Sequence, residues 1–84
     1  MRSHILKIWP EHFQPVINGL KTFEIRKNDR NYKEGDIIVL KEYDPKKDTF
    51  TNRYINVRIT YILKDVDIVP KDYCIMSIVP YIPL

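Results

Sequence analysis

Within the eight residues "GLKTFEIR" (19 to 26) stand an amine, a carboxylate and a guanidinium: Lys21, Glu24 and Arg26. Glu24 and Arg26 are two residues apart, so on an extended strand they share a face, roughly 6 to 7 Å from each other. One reading is a surface ion pair, worth only about 0 to 1 kcal/mol. The other is a polar cleft. There Arg26 donates a planar fork to phosphate or a base edge, Lys21 adds a point charge, and Glu24 accepts from an exocyclic amine. Trp9, Tyr32, Tyr43 and Tyr73 supply aromatic faces of the kind on which single-stranded bases stack, although a small core would also use them for packing.

The surrounding charge agrees with an anionic ligand. Between residues 21 and 33, five basic side chains (Lys21, Arg26, Lys27, Arg30, Lys33) face two acidic ones (Glu24, Asp29). That segment holds the whole formal charge of +3, and the remaining nine basic and nine acidic residues cancel. A solvated basic turn and a phosphate footprint both fit this pattern.

Other chemistries find little support. The two glycines are taken by a helix cap and a turn, which leaves no Gly-rich phosphate loop, and Ser3 and Ser77 stand in no nucleophile-elbow context. His4 and His12 neighbour no cluster with ligand spacing, so no metal or other cofactor is expected. The single cysteine, Cys74 in "YCIMSIV", reads as a small core residue and excludes an intramolecular disulfide framework.

The elements that position these residues follow from length and periodicity. Eighty-four residues allow one domain, 1–84, with one core. No apolar run approaches the roughly 18 residues of a membrane span, and "MRSHILKIWPEHF" lacks the features of a secretory signal. A cytoplasmic protein without membrane contact is expected. "SHILKIW" (3 to 9) reads as a strand ending at Pro10. Phe13, Val16, Ile17 and Leu20 then form the apolar face of a helix closed by a left-handed Gly19. Pro15 predicts either a start near residue 14 or a kink.

After Gly19 the period becomes two. Phe23 and Ile25 are expected in the core, with Thr22, Glu24 and Arg26 on the opposite face. "DIIVLKEY" (36 to 43) is the next strand, "DPKKDTFTN" a hairpin loop. A ten-residue alternation then puts Ile55, Val57, Ile59, Tyr61 and Leu63 on one face. "YCIMSIV" (73 to 79) closes the set, and the tail "PYIPL" is expected to pack without regular structure. The fold class is mixed and mainly β: a small barrel of about five strands, one helix between the first two, closed to avoid exposed edges.

In that strand-helix-strand context, "LKIWPEHFQPVINGLKTFEIRKNDRNYKEGDIIVLKEYD" resembles the N-terminal half of the ASCH (activating signal cointegrator homology) domain, in its small bacterial and phage subfamily. The likeness rests on G-x-K-x-x-E-x-R (Gly19, Lys21, Glu24, Arg26), on Gly35 and Asp36 opening a strand, and on the closing "YCIMSIV". It implies a PUA-like barrel whose cleft, lined by Lys21, Glu24 and Arg26 with Lys7 and Trp9 from the first strand, binds RNA or a modified nucleotide or nucleoside. Some members of that superfamily are instead amidohydrolases acting on N4-acetylcytidine through a lysine, a threonine and a glutamate. Lys21 matches the lysine, but the threonine position is Glu24, which leaves only a Lys21–Glu24 pair for proton transfer. A protein-interaction domain is the third reading.

Overall fold

The computed structural model describes residues 2–82. It contains five strands and one helix: β1 (Ser3–Ile8), α1 (Pro10–Ile17), β2 (Phe23–Lys27), β3 (Ile37–Asp44), β4 (Thr49–Leu63) and β5 (Tyr73–Pro80). The strands form one curled, half-barrel sheet in the order β1-β3-β4-β5-β2, with β1 parallel to β3 and every other pairing antiparallel. Sequence neighbours β1 and β2 thus end up as the two edges of the sheet. The seam between them carries no backbone ladder; α1 lies across the connection and packs against β3.

The concave side holds the core. Leu6 and Ile8 of β1, Phe13 and Val16 of α1, Ile38 and Leu40 of β3, Val57 and Ile59 of β4, and Cys74, Met76 and Ile78 of β5 form one buried cluster, joined by Tyr32. β2 contributes no apolar side chain to it. The expected orientation of β2 is therefore reversed: Phe23 and Ile25 are 44% and 54% exposed, while Glu24 points inward at 3%.

Helix α1 begins at Pro10, where a missing N–H costs nothing, and runs through Pro15, so a start near residue 14 does not occur. Of the expected apolar face, Phe13 and Val16 are buried, whereas Ile17 and Leu20 are exposed. The helix ends as anticipated on Gly19, whose φ of +75° is the left-handed conformation open to a residue without Cβ. The Gly19 N–H donates to the Val16 carbonyl (3.1 Å) and the Leu20 N–H to that of Pro15 (2.9 Å), the paired bonds of a Schellman ending.

β4 starts at Thr49, inside the stretch expected as a hairpin loop, so only residues 45–48 separate it from β3; its long alternation holds through Ile59 and then breaks. Thr60 is an extra residue opposite β5, since Ile59 pairs with Ile78 and Tyr61 with Ser77. Beyond this bulge Tyr61 faces solvent and Ile62 packs against the core, which overturns the expected common face of Ile59 and Tyr61. The Glu34 carboxylate accepts the Ile62 N–H at 3.1 Å. At the tail, Pro80 extends β5, the Tyr81 N–H donates to the Asn56 carbonyl, and Ile82 is exposed rather than packed. The last two residues of the expected tail lie outside the described residues.

Among the described residues, no helix is long and apolar enough to cross a membrane.

Candidate functional site

The seam between β1 and β2 opens into a cleft of about 640 Å³. Its lining comes from three pieces of chain: Lys7, Ile8 and Trp9 at the end of β1, His12 and Pro15 on α1, and Leu20, Lys21 and Phe23 to Arg26, without Thr22. Local structure explains how one short sequence motif reaches it. The Pro15 carbonyl accepts the Lys21 N–H (3.0 Å) as well as that of Leu20, so the helix ending pins the backbone of Lys21 at the mouth of β2. From three residues on, the strand period turns Glu24 and Arg26 inward.

Glu24 is the centre of the arrangement. Its Oε1 accepts from Lys21 Nζ at 2.5 Å and its Oε2 from Arg26 Nε at 2.8 Å. Lys21 Nζ also donates to the Phe23 carbonyl at 2.7 Å, and it lies 4.9 Å from the Phe23 ring centroid. Arg26 Nη2 donates to the Lys7 carbonyl at 2.8 Å, a side-chain bridge across the unpaired seam. A carboxylate buried to this degree requires opposite charges and hydrogen bonds on its oxygens, and Lys21 and Arg26 supply both.

Two positive charges on one negative leave the site cationic. An ammonium has three donors and a guanidinium five. Lys21 uses two of its donors and Arg26 two, so one and three remain for a ligand. Each oxygen of Glu24, by contrast, already accepts from a cation, and its side chain is buried beneath them with only 4% exposed. The cleft therefore offers hydrogen-bond donors to whatever enters, and Glu24 acts by aiming the two cations.

The structure brings Lys21, Glu24, Arg26, Lys7 and Trp9 to one cleft, with a qualification of role for Lys7. Its carbonyl takes part in the seam, but its Nζ sits 4.3 Å from the centroid of the Tyr43 ring on the convex side of the sheet. Trp9 is half-exposed at the start of α1 and lines the cleft. The other expected aromatic platforms do not converge. Tyr32 is buried edge-on against His4, with ring centroids 4.8 Å apart, and burial pushes its hydroxyl pKa up. Tyr43 and Tyr73 are not in the cleft.

Sequence reasoning missed His12 and Pro15, which flank the buried stripe of Phe13 and Val16 on the helix. It missed Phe23 because an alternating strand reads as apolar side inward. With Trp9, His12 and Phe23, the cleft has three aromatic side chains in its lining beside the cationic pair, the Phe23 ring lying under the Lys21 ammonium.

Two further buried carboxylates lie away from this site. Asp36 Oδ2 accepts from His4 Nε2 at 2.9 Å and from the Lys33 N–H at 3.0 Å, and its Oδ1 accepts the Arg2 N–H. Burial opposes ionisation of Asp36, but these hydrogen bonds outweigh it and hold the carboxyl below the usual 3.8. Glu42 Oε1 accepts from Thr51 Oγ1 at 2.6 Å and from Arg53 Nε at 3.1 Å. Both fasten the fold. Cys74 is fully buried, as expected, and burial pushes its thiol pKa up. Among the described residues no three His, Cys, Asp or Glu side chains converge on a point that could hold a metal ion.

Comparison with known proteins places residues 3–78 in a family described as "Domain of unknown function (DUF3850)", and the chain belongs to that family. It is also similar to the "Uncharacterized 12.9 kDa protein in GpA 3'region" of Escherichia phage P2, with 39% identity over 59 residues. The match covers 70% of this chain and 52% of the phage protein, so the chain spans about half the length of that relative.

Proposed function

We propose that this DUF3850 member is a binding module whose seam cleft holds one nucleotide unit, free or within single-stranded RNA. The observation that carries the reading is the geometry at the cleft floor: a buried carboxylate holds Lys21 and Arg26 with their unused donors available, and Trp9, His12 and Phe23 stand around them. A base has a face for the rings and acceptor atoms for the donors, and a phosphate answers the excess positive charge. The size agrees, since about 640 Å³ lies within the range of small-molecule sites. The resemblance to ASCH domains, carried by the same Gly19, Lys21, Glu24 and Arg26, points to the same ligand class. In such a protein Glu24 orients Lys21 and Arg26, and only these two meet phosphate or a carbonyl edge directly.

Amidohydrolysis of an acylated cytidine draws less support. The cleft lining includes no hydroxyl or thiol, and the carboxylate at the threonine position is bound on both oxygens.

The test uses the one tryptophan of the chain, which stands in the cleft wall. Titration with nucleoside monophosphates and short single-stranded RNA at low salt is expected to change Trp9 fluorescence saturably. Arg26→Ala weakens that binding, and added salt weakens it further. No change in Trp9 emission with any nucleotide or RNA at low salt refutes the proposal. Release of cytidine from N4-acetylcytidine would put an enzyme in its place.

A further inference from the structure

The convex face of the sheet has an unusual composition for a surface. Outward-facing strand positions include Ile5 and Lys7 on β1, Val39, Lys41 and Tyr43 on β3, and Phe50, Tyr54, Asn56 and Arg58 on β4, and these carry no carboxylate. Three rings and two ammonium groups cluster at one end. Tyr43 and Phe50 pack edge to face with centroids 5.3 Å apart, Lys7 Nζ lies 4.3 Å from the Tyr43 centroid, and Lys41 Nζ lies 4.8 Å from that of Phe50. Tyr54, directly opposite Lys41 in the β3–β4 register, is 60% exposed, and Ile5 is equally open. Asp44 closes β3 at this end, and the bordering hairpin turn adds Lys46 and Lys47 together with Asp48, which accepts from the Tyr43 hydroxyl.

We infer that this face is a second contact surface for single-stranded RNA, continuing the path of a strand whose one nucleotide occupies the seam cleft. The inference rests on the proposed function for the direction of the strand. Lys7 connects the two places: its carbonyl lies in the seam on Arg26, and its ammonium lies among the rings outside. Charge complementarity selects the occupant. Rings interleaved with ammonium groups, with Lys7, Lys41, Lys46, Lys47 and Arg58 outnumbering the carboxylates of Asp44 and Asp48, suit a chain of stacked bases and phosphates. A second copy of this protein would oppose its own Lys7, Lys41 and Arg58 with the same charges.

The experiment compares uridine monophosphate with a single-stranded decauridylate on the full chain, for wild type and a Lys41→Ala/Tyr54→Ala variant, neither residue belonging to the cleft. Trp9 fluorescence reports the cleft, and anisotropy of labelled RNA reports the whole complex. Wild type is expected to bind the decamer about tenfold or more tighter than the monophosphate. The variant is expected to lose about tenfold in decamer affinity and keep its monophosphate affinity within about twofold. Its salt dependence becomes shallower by about 0.7 for each lost phosphate contact. Lys41→Glu, with the tyrosine intact, is expected to weaken the decamer alone as well, and serves if the double variant unfolds.

Equal decamer affinity in wild type and these variants overturns the inference. So does a decamer that binds no tighter than the monophosphate, or a self-association that the variant abolishes. If the monophosphate leaves Trp9 unchanged while the variant still weakens decamer binding, the cleft assignment fails and the outer surface stands. If neither ligand binds, both fail.

Discussion

Replacing Glu24 by glutamine keeps the shape of the side chain and removes its charge, which makes it the sharpest perturbation of the cleft. The native carboxylate accepts two charge-assisted hydrogen bonds, at 2.5 Å from Lys21 and 2.8 Å from Arg26. Each such bond contributes about 1.5 to 3 kcal/mol, a gross loss of about 3 to 6 kcal/mol. A glutamine amide restores part of this, because its carbonyl can still accept from one cation, worth about 1 kcal/mol. It also removes the desolvation cost of a buried anion. Its NH₂ group, however, is a donor set against the donors of the second cation, with both Lys21 and Arg26 largely buried. The expected net loss for Glu24→Gln is about 2 to 4 kcal/mol. With a urea m-value of about 1 kcal/mol/M for so short a chain, the unfolding midpoint falls by about 2 to 4 M. The assay is equilibrium urea unfolding, followed by far-UV circular dichroism. A cycle with Arg26→Gln is expected to show a coupling of about 1 kcal/mol or more. A Glu24→Gln midpoint within about 0.3 M of wild type, or a coupling near zero, would refute the claim that Glu24 holds the two cations.

Three other outcomes follow from the structure. Asp36 has its folded pKa held below 3.8, so its stabilising contribution is full above the unfolded value and is lost as pH falls through the lowered folded value; Asp36→Asn removes this acid limb from a urea-midpoint profile taken between pH 2 and 6. At Gly19 an added Cβ meets nothing within 4 Å, so Gly19→Ala is expected to cost about 1 to 2 kcal/mol in urea unfolding, from the left-handed backbone alone. Cys74 is buried with its thiol pKa raised, so a disulfide reagent at pH 8 labels it only at the rate of opening; labelling as fast as a free peptide thiol would contradict the burial.

The elements were readable because each has a local cause that survives folding. Gly19 marks the end of α1, Gly35 the turn before β3, and the alternation from Tyr54 to Ile59 marks β4, all from residue type and period. What the sequence could not disclose depends on contacts made far along the chain. The face switch at Thr60 requires one extra residue opposite β5, and nothing in "RITYIL" announces it. The seam itself follows from strand order, because β1 and β2 are separated in the sheet by three strands although α1 joins them in the chain. The roles of His12 and Phe23 depend on that seam, so they were invisible until it existed.

The reversal of β2 shows why the charged motif was legible while its orientation was not. A strand with one apolar and one polar face is ordinarily turned apolar side inward, since burial of hydrocarbon is the larger gain. β2 pairs only with β5, at the sheet edge, and beside it the concave side opens into the cleft. An inward apolar side chain at positions 24 and 26 would fill the site; the inward polar ones form it. The arrangement is tolerable because Glu24 never stands alone, its two oxygens being shared between Lys21 and Arg26. The outward Phe23 and Ile25 are the counterpart of that choice: Phe23 lies under the Lys21 ammonium and returns to the cleft as a wall. A pattern that contradicts the hydrophobic rule on an edge strand, with its buried charge neutralised within two or three residues, is therefore itself a sign of a site.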